Sequence, residues 1–92
     1  MTGFRVIGTE RLKGKRKWNT VYVGGIKETA KQGFEEIKKL VESDIKGMNV
    51  CEVHAFFVAG NAFWKDGNRT VDYSVRAVDE YGRYSNFVVM DI

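Results

Sequence analysis

Ninety-two residues, 43% of them hydrophobic and 29% charged with no low-complexity tract, make one folded domain and exclude a multidomain chain or a disordered tail. Cys51 is the only cysteine, which excludes an intrachain disulfide and the usual thiolate metal sites and points to a reducing, cytoplasmic setting. The net charge of +3 is unevenly spread: residues 1–31 hold eight Lys and Arg against two Asp and Glu, whereas residues 32–92 hold seven against ten.

Phe4 to Ile26 reads as strand, turn, strand. Phe4, Val6 and Gly8 alternate with Arg5 and Ile7, then Trp18, Thr20 and Tyr22 alternate with Val21 and Val23. Gly14 sits where a tight turn needs a residue that tolerates positive φ. Around it, Arg11, Lys13, Lys15, Arg16 and Lys17 put five of the fifteen basic residues into seven positions. Lysine-rich turns are often only solvated, and charge near a strand end also guards against edge aggregation. Five crowded cations repel one another, however, so an acidic partner is expected, nucleic acid first or else an acidic protein surface. Trp18, beside Lys17, reads as a stacking residue or a cross-strand packing partner.

Thr29-Ala30-Lys31-Gln32 is a capping box, and Ala30, Phe34, Ile37, Val41 and Ile45, with Leu40 beside them, form one apolar stripe. The spacing predicts a helix over 29–46 with Glu35/Lys39 and Glu42/Lys46 on its wet side and Gly47 as its left-handed stop.

Beyond the helix the pattern predicts a long strand over Val50 to Trp64, a three-residue Lys65-Asp66-Gly67 loop with Gly67 left-handed, a strand over Asn68 to Asp79, a Tyr81-Gly82 turn, and a strand over Tyr84 to Ile92. The fold class is therefore α+β, ββαβββ, a mostly antiparallel sheet of about five strands with one helix on one face. In this register Cys51, Val53, Ala55, Phe57 and Ala59 face Val71, Tyr73, Val75 and Ala77 under the helix, with Val88, Met90 and Ile92 inward on the last strand. Hairpin one either extends the edge of the three-strand meander or lies over its open face.

On the other face the same register aligns Phe56, Arg76 and Phe87, with Val58, Ser74 and Val89 in the next row. Such a row reads as a base-stacking platform, or as a surface buried under hairpin one or in a homodimer. Of Phe63 and Trp64, alternation turns one outward; Trp64 with Lys65 and Arg69 is the candidate partner anchor.

No catalytic, metal or cofactor site is expected. His54 is the lone histidine, expected to point outward beside Val78 and Ser85; Cys51 is expected inward and unreactive; Asp72 facing Asp91 lacks a third oxygen ligand. Gly24-Gly25 lacks the rest of a phosphate-loop pattern. No basic-plus-apolar leader opens the chain, and His54 to Trp64 is far short of the ~20 apolar residues of a membrane span. The sequence thus leads to a non-enzymatic nucleic-acid-binding module. The alternative is a small protein-binding inhibitor or adaptor of the phage or mobile-element type, anti-CRISPR-like, acting by occlusion of a partner surface.

Overall fold

The computed structural model describes residues 2–90. β1 (Gly3–Leu12) and β2 (Asn19–Val23) form hairpin one, α1 (Ala30–Ile45) crosses the sheet, and β3 (Glu52–Phe56), β4 (Asn61–Lys65) and β5 (Arg69–Val78) complete it. The strand order is β2-β1-β5-β4-β3 and every pairing is antiparallel. Hairpin one therefore extends the edge of the β3–β5 meander through a ten-residue β1–β5 ladder, leaving the face opposite the helix uncovered by it.

The helix begins where its capping box stands: the Gln32 amide donates to Thr29 Oγ1 at 3.1 Å, and Gln32 Oε1 accepts from the Thr29 amide at 3.1 Å. Gly33, Phe34, Ile37 and Val41 are its buried residues. They pack on Val6, Ala62, Trp64, Val71, Tyr73 and Val75. Close approach is set by glycine: a Cβ on Gly33 would stand 3.1 Å from Val75, and one on Gly8 2.8 Å from the Tyr73 ring. The turn ends in Lys46 and a left-handed Gly47, φ 75°. On the wet side Glu35 pairs with Lys38 at 3.2 Å.

Two expected strands differ. The run from Val50 to Trp64 is not one strand but β3 and β4, joined by a turn over residues 57–60 in which the Ala59 amide donates to the Phe56 carbonyl and Gly60 has φ 50°. The sheet face carried by odd residues in β3 passes to even residues in β4, so Ala62 and Trp64 are buried opposite Tyr73 and Val71. The expected three-residue loop is replaced by four residues, since Lys65 pairs with Thr70. Asp66 Oδ1 accepts from the Asn68 and Arg69 amides at 2.7 and 2.9 Å, and this side-chain turn removes the need for a left-handed Gly67.

The segment from Tyr84 is not a strand among the described residues. It lies beside the part of β5 that β4 does not reach, through a Val78–Tyr84 bridge and amides donated by Ser85 to Ala77 and by Val89 to Val75. Val89 rather than Val88 thus meets Val75, and Met90 is exposed rather than inward. Ile92 and the Asp72–Asp91 pairing lie outside the described residues. No helix among the described residues is long and apolar enough to cross a membrane.

Candidate functional site

Alternation along five antiparallel strands sorts the helix-free face into rungs. The first, at the basic end, runs Glu52, Lys65, Thr70, Arg11; the second His54, Phe63, Asp72, Thr9, Thr20; the third Phe56, Asn61, Ser74, Ile7, Val23; the fourth Arg76, Arg5. A bulge between Gly8 and Thr9 leaves Val21 as the extra residue of β2.

The expected Phe56, Arg76, Phe87 row does not form. Splitting the β3–β4 run moves Phe56 to the Asn61 rung, and Arg76 spends its donors on Ser74 Oγ at 2.7 Å and the Ser85 carbonyl at 3.1 Å. Phe87 is 81% exposed in the segment after β5, and Val58 lies exposed in the β3–β4 turn. A different aromatic group takes the place of that row. His54 and Phe63 stack with centroids 4.9 Å apart and planes 11° from parallel, and Phe56 closes a triangle at 6.0 Å from His54 and 6.4 Å from Phe63. His54 therefore sits beside Phe63, not beside Val78 and Ser85. The signal that finds this trio in the sequence is Gly60: reading it as a turn puts even residues of β3 and odd residues of β4 on one face.

Trp64 is the inward member of its pair, 1% exposed, and is not available to a partner. Its indole Nε1 donates to Asp44 Oδ2 at 3.1 Å, and the Tyr73 hydroxyl donates to the same oxygen. Arg69 lies over the Trp64 ring at 5.2 Å and pairs with Glu10 at 3.0 Å. Burial, then the bond to Asp44, pushes the Tyr73 phenol well above its ordinary value.

Residues 13–18 form the tip between β1 and β2, with Gly14 at φ 80° as its sequence suggests. Arg11, Lys13, Lys15, Arg16 and Lys17 are all exposed, and among the described residues none is ion-paired. Arg11 stacks on Trp18 at 5.2 Å, which holds the indole, 42% exposed, at the end of the first rung. The tip also leans on the β4–β5 turn, where the Lys13 amide donates to the Asn68 carbonyl at 2.8 Å. Between them is a cleft of about 470 Å³ whose walls include Arg11, Lys13, Lys15, Lys65 and Arg69. Two groups that the sequence keeps apart, the tip and Lys65 with Arg69, thereby share one site. Cys51 also lines it and is exposed, contrary to its expected inward position, as are Val53 and Ala55 on the same side of β3, because α1 does not pack on that strand.

Lys65 Nζ lies 2.8 Å from Glu52 Oε2, and His54 Nε2 contacts the other oxygen. Lys65 is the main reason that the Glu52 carboxyl is held below its ordinary value. Asp72, beside Phe63, behaves oppositely: burial pushes its carboxyl up to about 6 despite Arg76, and its Oδ1 is enclosed without a hydrogen-bond partner among the described residues. Arg5 Nε and Asn61 Oδ1, on neighbouring rungs, are likewise unpartnered.

Because the Asp72 carboxyl rises from 3.8 to about 6 on folding, the protonated form favours the fold. Its contribution is complete below pH ~4 and is lost as the pH rises through ~6. Glu52, Asp66 and Asp79 act in the opposite sense, held low by Lys65, by the Asn68 amide and by the Arg83 amide respectively, so their contributions are lost only in stronger acid. Asp72→Asn is expected to raise stability at neutral pH by about 1–2 kcal/mol, partial solvation limiting the gain, and to flatten the profile between pH ~4 and ~7. Urea unfolding at several pH values checks this. Equal stability of the two proteins throughout would mean that Asp72 is fully solvated in the fold.

Compared with protein-family models, curated proteins and solved structures, the chain matches none.

Proposed function

We propose that the protein is a non-enzymatic nucleic-acid-binding module that takes a single strand across its helix-free sheet face, with phosphates at the basic tip and bases on the rings of His54, Phe56 and Phe63. One observation carries this reading: a single rung, Glu52 to Arg11, adjoins the aromatic trio and ends at the Arg11–Trp18 stack and the cations of the tip, which are unpaired among the described residues. Side chains that stack bases and side chains that neutralise phosphates thus lie along one surface, which is what sequence-tolerant single-strand binding requires. A duplex keeps its base faces stacked inside, so the trio favours unpaired strands.

Anisotropy of a labelled single-stranded oligonucleotide, read at several salt concentrations, tests the reading. Affinity is expected to fall with salt, and Phe56→Ala and Phe63→Ala are each expected to weaken binding by about 1–3 kcal/mol per stacked base, roughly 5- to 150-fold. Absence of binding to DNA and RNA strands at low salt ends the proposal.

A second reading, a protein-binding inhibitor or adaptor, is favoured by the opposite end of the molecule. There Phe57, Val58, Phe87 and Met90 are each more than 60% exposed, and the turn over residues 57–60 meets the segment after β5 at Val75 through Gly60 and Val89. Retention of one stoichiometric protein from a nuclease-treated lysate, abolished by Phe87→Ser, supports it.

A further inference from the structure

We infer that the cleft at the basic end of the sheet is a phosphate-binding site that seats a phosphate group of the bound strand. The inference rests on the reading above and deepens it by naming where the backbone is held. A cleft of about 470 Å³ falls within the ~300–1,000 Å³ of ordinary small-ligand sites, ample for a phosphate with its attached sugar.

Its charge is one-sided. Arg11, Lys13, Lys15, Lys65 and Arg69 line it against one carboxylate, Asp66, which is already engaged by the amides of its own turn. Glu52 and Glu10 neutralise Lys65 and Arg69, but Arg11, Lys13 and Lys15 have no ion pair among the described residues. Crowding three uncompensated cations around a concavity costs self-repulsion that an entering anion relieves.

The walls are fixed before any ligand arrives. The Leu12–Arg69 pair ends the β1–β5 ladder, and the Lys13–Asn68 backbone bond extends it past the strands into the tip. A preformed anion site binds without ordering two loops. Gly14 and Gly67, one on each wall, have nothing within 4 Å of where a Cβ would stand, so both turns admit a ligand close to the backbone.

Cys51 is the protein's only thiol and lines the same cleft, which makes it a built-in reporter. The test is the rate of its alkylation by N-ethylmaleimide at fixed pH and matched ionic strength. The arms are chloride, pyrophosphate, and a short oligonucleotide with either a 5′-phosphate or a 5′-hydroxyl. Pyrophosphate is expected to slow alkylation several-fold and saturably, and Lys13→Gln with Lys15→Gln to remove the protection. Protection by the 5′-phosphorylated strand alone assigns the cleft to a strand end; equal protection by both strands assigns it to an internal phosphodiester. If chloride protects as well as pyrophosphate, or if no phosphate-bearing probe protects, the site is refuted. Oligonucleotide binding by anisotropy without Cys51 protection removes the cleft but keeps the proposed function. Pyrophosphate protection without oligonucleotide binding keeps the phosphate site and removes the strand as its source.

Discussion

Trp64→Ala is expected to cost about 3–5 kcal/mol, because it removes the largest fully buried side chain from beneath the helix. In a domain whose total stability is of order 5–15 kcal/mol, that is a large share of the margin, and the melting temperature should fall by about 15 °C or more. The loss has a polar component. Asp44 Oδ2 accepts from both Trp64 Nε1 and the Tyr73 hydroxyl, tying α1 to β4 and β5 through one carboxylate. Asp44→Ala leaves two buried donors unpaired at about 1–3 kcal/mol each, whereas Asp44→Asn retains an acceptor and should recover much of the loss. Thermal unfolding followed by circular dichroism separates the variants. A small effect of Trp64→Ala would show that the helix does not depend on this anchor, and with it would go the rigid sheet on which the proposed binding face relies.

Neutralising Lys13, Lys15, Arg16 and Lys17 together to glutamine should leave stability within about 0.5 kcal/mol, since all four side chains are exposed and unpaired among the described residues. Affinity for a single strand should change far more. If each cation neutralises one phosphate, the logarithmic salt slope falls by about 0.7 per charge, close to 3 in all, and binding at 0.1 M salt weakens by roughly two to three orders of magnitude. The slope is the more informative quantity, because a folding defect lowers affinity without changing it. A variant with the parent slope and parent affinity would reduce the tip to a solvated turn.

How much of this was legible depended on whether the signal was local. The capping box at Thr29 to Gln32, the stripe from Phe34 to Val41 and Gly14 in the tip each reside within a few residues, and each forms as its spacing predicts. The β3–β4 turn was hidden, because apolar residues run through Phe56, Phe57, Val58 and Ala59 and only Gly60 interrupts them. Missing that turn inverts the parity of β4, whereas Val71, Tyr73 and Val75 of β5 are buried as their spacing predicts. A face in a sheet alternates with period two, so the odd set that turns Val53 and Ala55 to the helix side misassigns β4. Trp64 changes from candidate anchor to core for that reason, and Phe63 joins His54 on the helix-free face. Val53, Ala55 and Phe57 are themselves exposed rather than core, because α1 packs on β1, β4 and β5 but not on β3. The cleft was illegible for a different reason: Lys13 and Asn68 are far apart in sequence, and only the β1–β5 ladder brings the tip against the β4–β5 turn.

The most direct test of the central claim, that nucleic acid lies on the helix-free face, is a map of backbone amide shifts during titration with a short single-stranded oligonucleotide. The account predicts saturable changes along Glu52 to Phe56, Asn61 to Lys65 and the tip from Arg11 to Trp18, with the outer helix surface at Glu35, Lys39 and Glu42 silent. Changes concentrated on that helix surface, or confined to the apolar end around Val58 and Phe87, would contradict it.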